Sequence, residues 1–281
     1  MGSTASITRS YVISATPRTG SNFLCEVLDR TGVAGHPEEY FWQRSYWYER
    51  WGVNDFPSFI GRVLQEGTTP NGVFGSKLMW DQVKELVAEL ESMREIPGSS
   101  PTNVLEVPGP SPTSALRGPD SSPRRVLEAT FPNLHYIWLR RSDRVRQAIS
   151  YYRALETKRW RSTDTPADSV EPEFNFEAIH SLLQLSAWED EGWQEFFARH
   201  AIVPLTVWYE AFAESPQLTA NQIMTHLGLQ TPNHVLSEGW RHQRQADALT
   251  DEWSARYLAE QSRRSNLPEE EVLRNLRQWT P

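Results

Sequence analysis

The chain has 281 residues and a net charge of −8. An acidic balance argues against a nucleic-acid-binding protein, the single cysteine excludes an internal disulfide or a cysteine-based zinc cluster, and no run approaches the ~18 apolar residues of a membrane span. The length suits one large α/β domain or two small ones, with a core that needs no disulfides, and 12 tryptophans add large burial per residue.

The opening MGSTASITRS has no apolar stretch of the secretory kind and formally matches the myristoylation pattern M-G-x-x-x-S, a match common among small polar N-termini. With Cys25 as the lone thiol, a reducing cytoplasm is the expected compartment. Tyr11, Val12 and Ile13 form an apolar run of strand type, broken by Thr16, Pro17, Arg18, Thr19 and Gly20. From Ser21 the period becomes helical, with Phe23, Leu24, Val27 and Leu28 on one face and Cys25 beside them in the core. Strand, tight loop and helix together make a site for an anion: the helix start carries partial positive charge, Arg18 adds a planar cationic fork, and Ser21 and Asn22 add short polar side chains. An ordinary turn with a surface arginine has the same pattern. The loop is not GxxxxGK[ST], because Ser21 rather than lysine follows Gly20.

After TGVAG comes His36-Pro37-Glu38-Glu39-Tyr40-Phe41. Proline followed by two acids reads as a helix N-terminus, or as a carboxylate brought near the anion loop. The stretch from Trp42 to Trp51 is unusually aromatic and suits either packing on the core or a ring-stacking pocket wall. Residues 56–64 look helical, Asn71-Gly72 marks a turn, VFGSKLMW reads as a strand carrying Lys77, and 84–94 continue as a helix. From 95 to about 125 the chain is rich in proline, serine and glycine without periodicity, so a long mobile surface insertion is expected inside a single domain spanning 1–281.

LHYIWL at 134–139 is a second apolar strand, ending in Arg140-Arg141. Ser142 and Asp143 suit a helix cap. Val145, Ala148, Ile149, Tyr152 and Leu155 make the buried stripe of the helix that follows, with Arg146, Ser150 and Arg153 on a neighbouring face. This is a second strand–loop–helix unit with an arginine at the strand end and a serine in the helix; a solvated basic helix has the same pattern. A helix over 176–200, a strand over 202–209 and a helix over 218–227 ended by Gly228 complete the pattern. The seven histidines are scattered with no metal-binding spacing.

P-R-T-G-S-N-F-L followed by TGVAGHPEEYF resembles the bacterial sulfotransferases of the trehalose 2-sulfotransferase family. The resemblance extends through TPNGVFGSKLMW, RSDRVRQAIS, RALETKRWR, AWEDEGW and the late RQAD and DEW runs, with the proline-rich insertion interrupting it. It implies an α/β, P-loop-like parallel sheet flanked by helices, with the ligand at the carboxyl ends of the strands. It also implies sulfuryl transfer from PAPS (3′-phosphoadenosine-5′-phosphosulfate), without a metal, to a hydroxyl of a small sugar-bearing acceptor. By the same resemblance Glu39 is the general base and Lys77 a cation near the transferred group. Arg18, Thr19, Gly20, Ser21 and Asn22 hold the 5′-phosphosulfate, Arg141 and Ser150 the 3′-phosphate, and Arg244 lies near the donor. Pro17, His36, Pro37, Glu38, Glu39, Tyr40, Phe41, Trp42 and Trp51 line the acceptor pocket, and Trp160 forms a lid or wall.

The chain departs from the family pattern at Ser142, which stands for a proline, and at Arg146, which stands for a serine. Pro17 stands for a glutamine and His36 for an acid. The last two alter the acceptor pocket on both sides of the anion loop and point from trehalose itself toward another glycoside or a specialised metabolite. An ATP-dependent P-loop phosphotransferase and a non-catalytic PAP-binding protein are the alternatives. The expected partners include no nucleic acid, no membrane span is expected, and a homodimer is an open expectation.

Overall fold

The structure is a computed structural model that describes residues 6–95, 122–160, 172–230 and 248–278. In chain order its elements are β1 (Arg9–Ala15), α1 (Ser21–Asp29), α2 (Arg44–Trp51), α3 (Phe56–Glu66), β2 (Val73–Met79), α4 (Trp80–Glu95), α5 (Pro123–Thr130), β3 (Leu134–Arg140), α6 (Arg144–Thr157), α7 (Phe176–Arg199), β4 (Leu205–Trp208), α8 (Tyr209–Glu214), α9 (Pro216–His226), α10 (Ala248–Ser265) and α11 (Glu269–Gln278). The four strands form one parallel sheet in the order β2-β1-β3-β4. Such a sheet buries both faces, and the strands accordingly read as nearly unbroken apolar runs.

Alternation along the strands sorts the core into two layers. Val12, Phe74, Leu78, Tyr136 and Trp138 face Phe59, Val87, Trp193 and Phe197 from α3, α4 and α7. Tyr11, Ile13, Ile137 and Leu139 face Leu24, Val27 and Leu28 of α1 and Ile223 of α9. Each such side chain contributes about 1.5–3 kcal/mol by burial. Cys25 is buried in the second layer, as its place beside Leu24 predicts. A third cluster joins Val145, Ile149 and Tyr152 of α6 to Ile179 of α7 and Trp253 and Tyr257 of α10.

Between β1 and β3 the chain changes side: α1 covers one face on the way to β2, and α4 and α5 cover the other on the way to β3. Loops at the carboxyl ends of two such adjacent strands border a crevice where open α/β sheets take ligands. Those are the loops after Ala15 and Arg140, which lie side by side because β1 pairs with β3.

Three local expectations are corrected. Residues 36–39 are extended rather than a helix start: Gly67 O accepts from His36 N at 3.0 Å and Glu38 O accepts from Lys77 N at 3.0 Å. The segment therefore straps the outer edge of β2, which keeps every residue of that edge strand buried. Gly35 permits the approach, with φ of 72° and space that a Cβ would close to 2.6 Å from Gly75 N. The last strand begins at Leu205 rather than 202, because Pro204 has no N–H for the ladder, and Tyr209 opens a helix. The tail of the insertion is helical from Pro123, where Val126 and Leu127 reach the core; residues 96–121 lie outside the described residues. No helix among the described residues is long and apolar enough to cross a membrane.

Candidate active site

The first loop is shaped by backbone before side chains act. Arg18 and Gly20 both have positive φ, 66° and 84°, and Thr19 Oγ1 closes the turn by donating to Thr16 O at 2.9 Å. At Gly20 only glycine fits, since a Cβ there would stand 2.5 Å from Tyr209 Cδ2. Gly20 caps α1 without a side chain, which leaves the helix start open to an external acceptor, and the Ser21 side chain is buried beside it. From α6, Gln147 Nε2 donates to Thr16 Oγ1 at 2.9 Å and to Pro17 O at 2.8 Å, fixing the loop against the second strand–loop–helix unit.

That unit meets the first directly. Arg18 Nε donates to Ser150 Oγ at 2.9 Å, and an Arg18 Nη1 hydrogen bond reaches Trp160 O. Arg141 Nη1 donates to Arg18 O at 3.1 Å, while its guanidinium lies 4.7 Å from the centre of the Tyr209 ring. Arg141 Nε is buried without a partner among the described residues. Burial lowers the pKa of that guanidinium, with the Tyr209 side chain opposing. Anchors beneath fix the geometry. Asp190 Oδ2 accepts from Arg140 Nε at 3.1 Å and Nη2 at 2.5 Å, and from Arg144. Asp143 caps α6 by accepting from Arg146 N at 3.0 Å, and Glu210 Oε1 accepts from Ser142 N and Asp143 N at 3.1 Å.

On the β2 side Lys77 is 1% exposed, and its Nζ lies 2.8 Å from Glu39 Oε2 and 2.5 Å from Asn22 Oδ1. Gln82 Nε2 donates to Glu39 Oε1 at 2.9 Å. The strap thus delivers Glu39 to the carboxyl end of β2, next to the start of α1. The Glu39 side chain keeps 17% exposure, so a carboxylate with spare lone pairs remains within reach of solvent.

Glu39, Lys77 and Asn22 thus form one contact group and Arg18, Arg141 and Ser150 a second, and the loop from Arg18 to Asn22 carries members of both. Other expected positions are placed elsewhere. Tyr40 and Phe41 are core residues: Tyr40 donates to His36 O at 2.7 Å, and Phe41 packs edge-on against Phe59 and Phe131. Trp51 packs among Tyr40, Trp47 and Phe59 and is half-buried. Both rings are buried against the core, where Tyr40 meets Trp47 and Trp51 and Phe41 meets Phe59 and Phe131. Pro37 is buried in the strap, Glu38 spends its carbonyl on β2, and His36 Nδ1 pairs with Asp29 Oδ1 at 2.6 Å. Arg146 ion-pairs with Asp143 and Asp251, which turns it toward α10 and away from Ser150. Trp42 is exposed, 6.1 Å from Trp160, and Trp160 is 5.9 Å from Tyr151. Arg244 lies outside the described residues.

Sequence reasoning missed Gln82, Gln147, Tyr209 and Asp190. Asp190 had a readable signal: it falls on the α7 stripe with Leu183, Ala187, Trp193 and Phe197, where an acid needs a buried partner. Gln82, Gln147 and Tyr209 had none, since each acts on a residue distant in sequence. Among the described residues no group of three or more His, Cys, Asp or Glu could hold a metal ion.

A family model described as Stf0 sulphotransferase matches residues 10–114 and 113–260, and the chain belongs to that family. It is thereby a sulfotransferase by descent. Two relatives, each named trehalose 2-sulfotransferase, are 28% identical: one from Mycolicibacterium smegmatis, over 92% of this chain and 97% of its own length, and one from Mycobacterium tuberculosis, over 91% and 96%. A solved sulfotransferase from Alicyclobacillus acidocaldarius is similar at 12% identity over 92% of this chain and 96% of its own, with a TM-score of 0.45.

Proposed function

We propose that the protein transfers the sulfuryl group of PAPS to a hydroxyl of a carbohydrate or glycosylated small molecule, with Glu39 as general base. The carrying observation is the continuous chain of contacts from Glu39 through Lys77 to Asn22, flanked by Arg18, Ser150 and Arg141. A carboxylate at one end of this row of contacts and an arginine–serine pair at the other support the reading.

The residues fit a doubly anionic nucleotide. Arg141 has a buried nitrogen without a partner among the described residues, no side chain caps the start of α1 at Gly20, and Lys77 brings a desolvated charge to the same edge. In this reading the loop from Arg18 to Asn22 holds the 5′-phosphosulfate, and Arg141 with Ser150 holds the 3′-phosphate. The bound donor would supply the activated sulfuryl group. Glu39 takes the acceptor proton at a free lone pair; Gln82 and Lys77 hold its carboxylate in place. Lys77 and the α1 start stabilise negative charge that grows on the leaving oxygens. Trp42 and Trp160 offer aromatic surface at the mouth for a sugar ring. The names of the relatives support a sugar acceptor, while Pro17 and His36 leave its identity to experiment.

The test is incubation with ³⁵S-labelled PAPS and a panel of neutral glycosides that includes trehalose, read by mass spectrometry. A product heavier by one sulfuryl group supports the reading. Transfer of phosphoryl from ATP, or PAP binding without turnover on the panel or a cell extract, would replace it with one of the alternatives.

A further inference from the structure

A second carboxyl group, that of Glu189, lies at the same end of the sheet, and its place follows from the helix that carries it. Trp193 Nε1 donates to Ala15 O at 3.0 Å, which pins α7 to the carboxyl end of β1. Phe196 and Phe197 lie deeper, against Tyr136 and Trp138. Glu189, four residues before Trp193, therefore sits about 6 Å further along the helix, beyond the strand ends. The helix α4 starts close by, with the Trp80 ring 5.3 Å from that of Trp193. Asp81, next in chain, is near enough to Glu39 for that charge to raise its pKa, after burial; Asp81 in turn raises Glu189. Tyr151 of α6, the residue after Ser150, feels Glu189, Asp81 and Glu39 together. The three carboxyls lie on three neighbouring elements, the strap, α4 and α7, and Tyr151 of α6 is within electrostatic reach of all of them.

Glu189 is 4% exposed, yet its Oε2 has no hydrogen-bond partner among the described residues. One turn earlier on the same face, Ser186 Oγ is also buried and unpartnered. Most buried polar atoms are satisfied, and an exception calls for a reason. Asp190, next in chain, binds two arginines, so the two neighbouring acids differ: among the described residues Glu189 Oε2 has no such partner.

We propose that Glu189 is an acceptor-binding residue, whose carboxyl takes a hydroxyl of a neutral, hydroxyl-rich acceptor while Glu39 takes the reacting one. The proposal rests on the sulfuryl-transfer reading above. It also implies a selection: a carboxyl at Glu189 that hydrogen-bonds a hydroxyl favours a neutral acceptor over one that carries its own carboxylate there. Burial, with Asp81 adding, pushes the Glu189 carboxyl up to about 7, so near neutrality it can donate or accept a hydrogen bond. A hydroxyl satisfies either form.

The test compares wild type with Glu189→Gln and Glu189→Leu, using trehalose and methyl α-glucoside as neutral probes and glucuronate as the acidic one. Glu189→Leu should raise the KM of a neutral probe about 10- to 100-fold, with kcat changed less and the Kd for PAP by calorimetry unchanged. Glu189→Gln should fall between. The leucine variant should melt no lower than wild type, because Glu189 Oε2 is buried without a partner among the described residues; a merely structural glutamate would give a lower Tm. Wild-type turnover with KM unchanged in both variants, or a wild type that prefers glucuronate, overturns the proposal alone. No PAP binding and no sulfated product from wild type would overturn the sulfuryl-transfer reading and the proposal with it.

Discussion

Removing Asp190 tests whether the second arginine cradle is held from below. Its Oδ2 takes both Arg140 and Arg144, and the three side chains are 3–5% exposed. Desolvation already lowers the pKa of Arg140, with Asp190 opposing. Asp190→Ala leaves two neighbouring guanidinium groups buried without a counter-charge, a loss of about 3–5 kcal/mol. At about 2–4 °C per kcal/mol for chains of this size, the Tm should fall by roughly 6–20 °C. Asp190→Asn should lie between, since its amide oxygen still accepts. Differential scanning calorimetry and urea titration measure the change, with Glu195→Ala as a control that breaks the exposed Arg199 pair and should leave the transition in place. Because Arg140 precedes Arg141 and Arg144 opens α6, PAP binding should weaken in the same variant. A loss under about 1 kcal/mol, the level of a surface pair, would refute the reasoning.

Gly20→Ala forces positive φ on an L side chain and drives a methyl into Tyr209, so about 1–3 kcal/mol of stability and much of the PAP affinity should go; urea titration and calorimetry read the two. Ser150→Ala removes the acceptor of Arg18 Nε from a half-buried helix position, and PAP should bind about 10- to 100-fold more weakly with an unchanged Tm. The pH dependence of stability should carry the mark of Glu189, raised from 4.5 to about 7 by burial. Between those values the native state holds more protons than the unfolded chain, so stability falls as pH rises through the window, by up to about 3 kcal/mol in all. Denaturation at pH 5 and pH 8 should show that decline in wild type and a flatter one in Glu189→Gln.

The strands of this fold were legible because a parallel sheet buries both faces: YVI and LHYIWL could hardly be anything else. The two strand–loop–helix units were legible because strand, turn residues and helical period follow in a fixed order. Adjacency was not readable. Nothing local to Arg18 says that β1 pairs with β3, and that pairing brings Ser150 to its guanidinium. The strap at 36–39 misled for a related reason: proline and two acids have helix-start chemistry, but the exposed edge of β2 offers those residues hydrogen bonds that a helix would forgo.

The most direct measurement is the single-turnover rate of Glu39→Gln beside its affinity for PAP. If Glu39 removes the acceptor proton, the rate falls by about 10²–10⁴ while PAP binds as tightly as to wild type. A near wild-type rate, or a loss of PAP affinity that matches the loss of rate, would contradict the account.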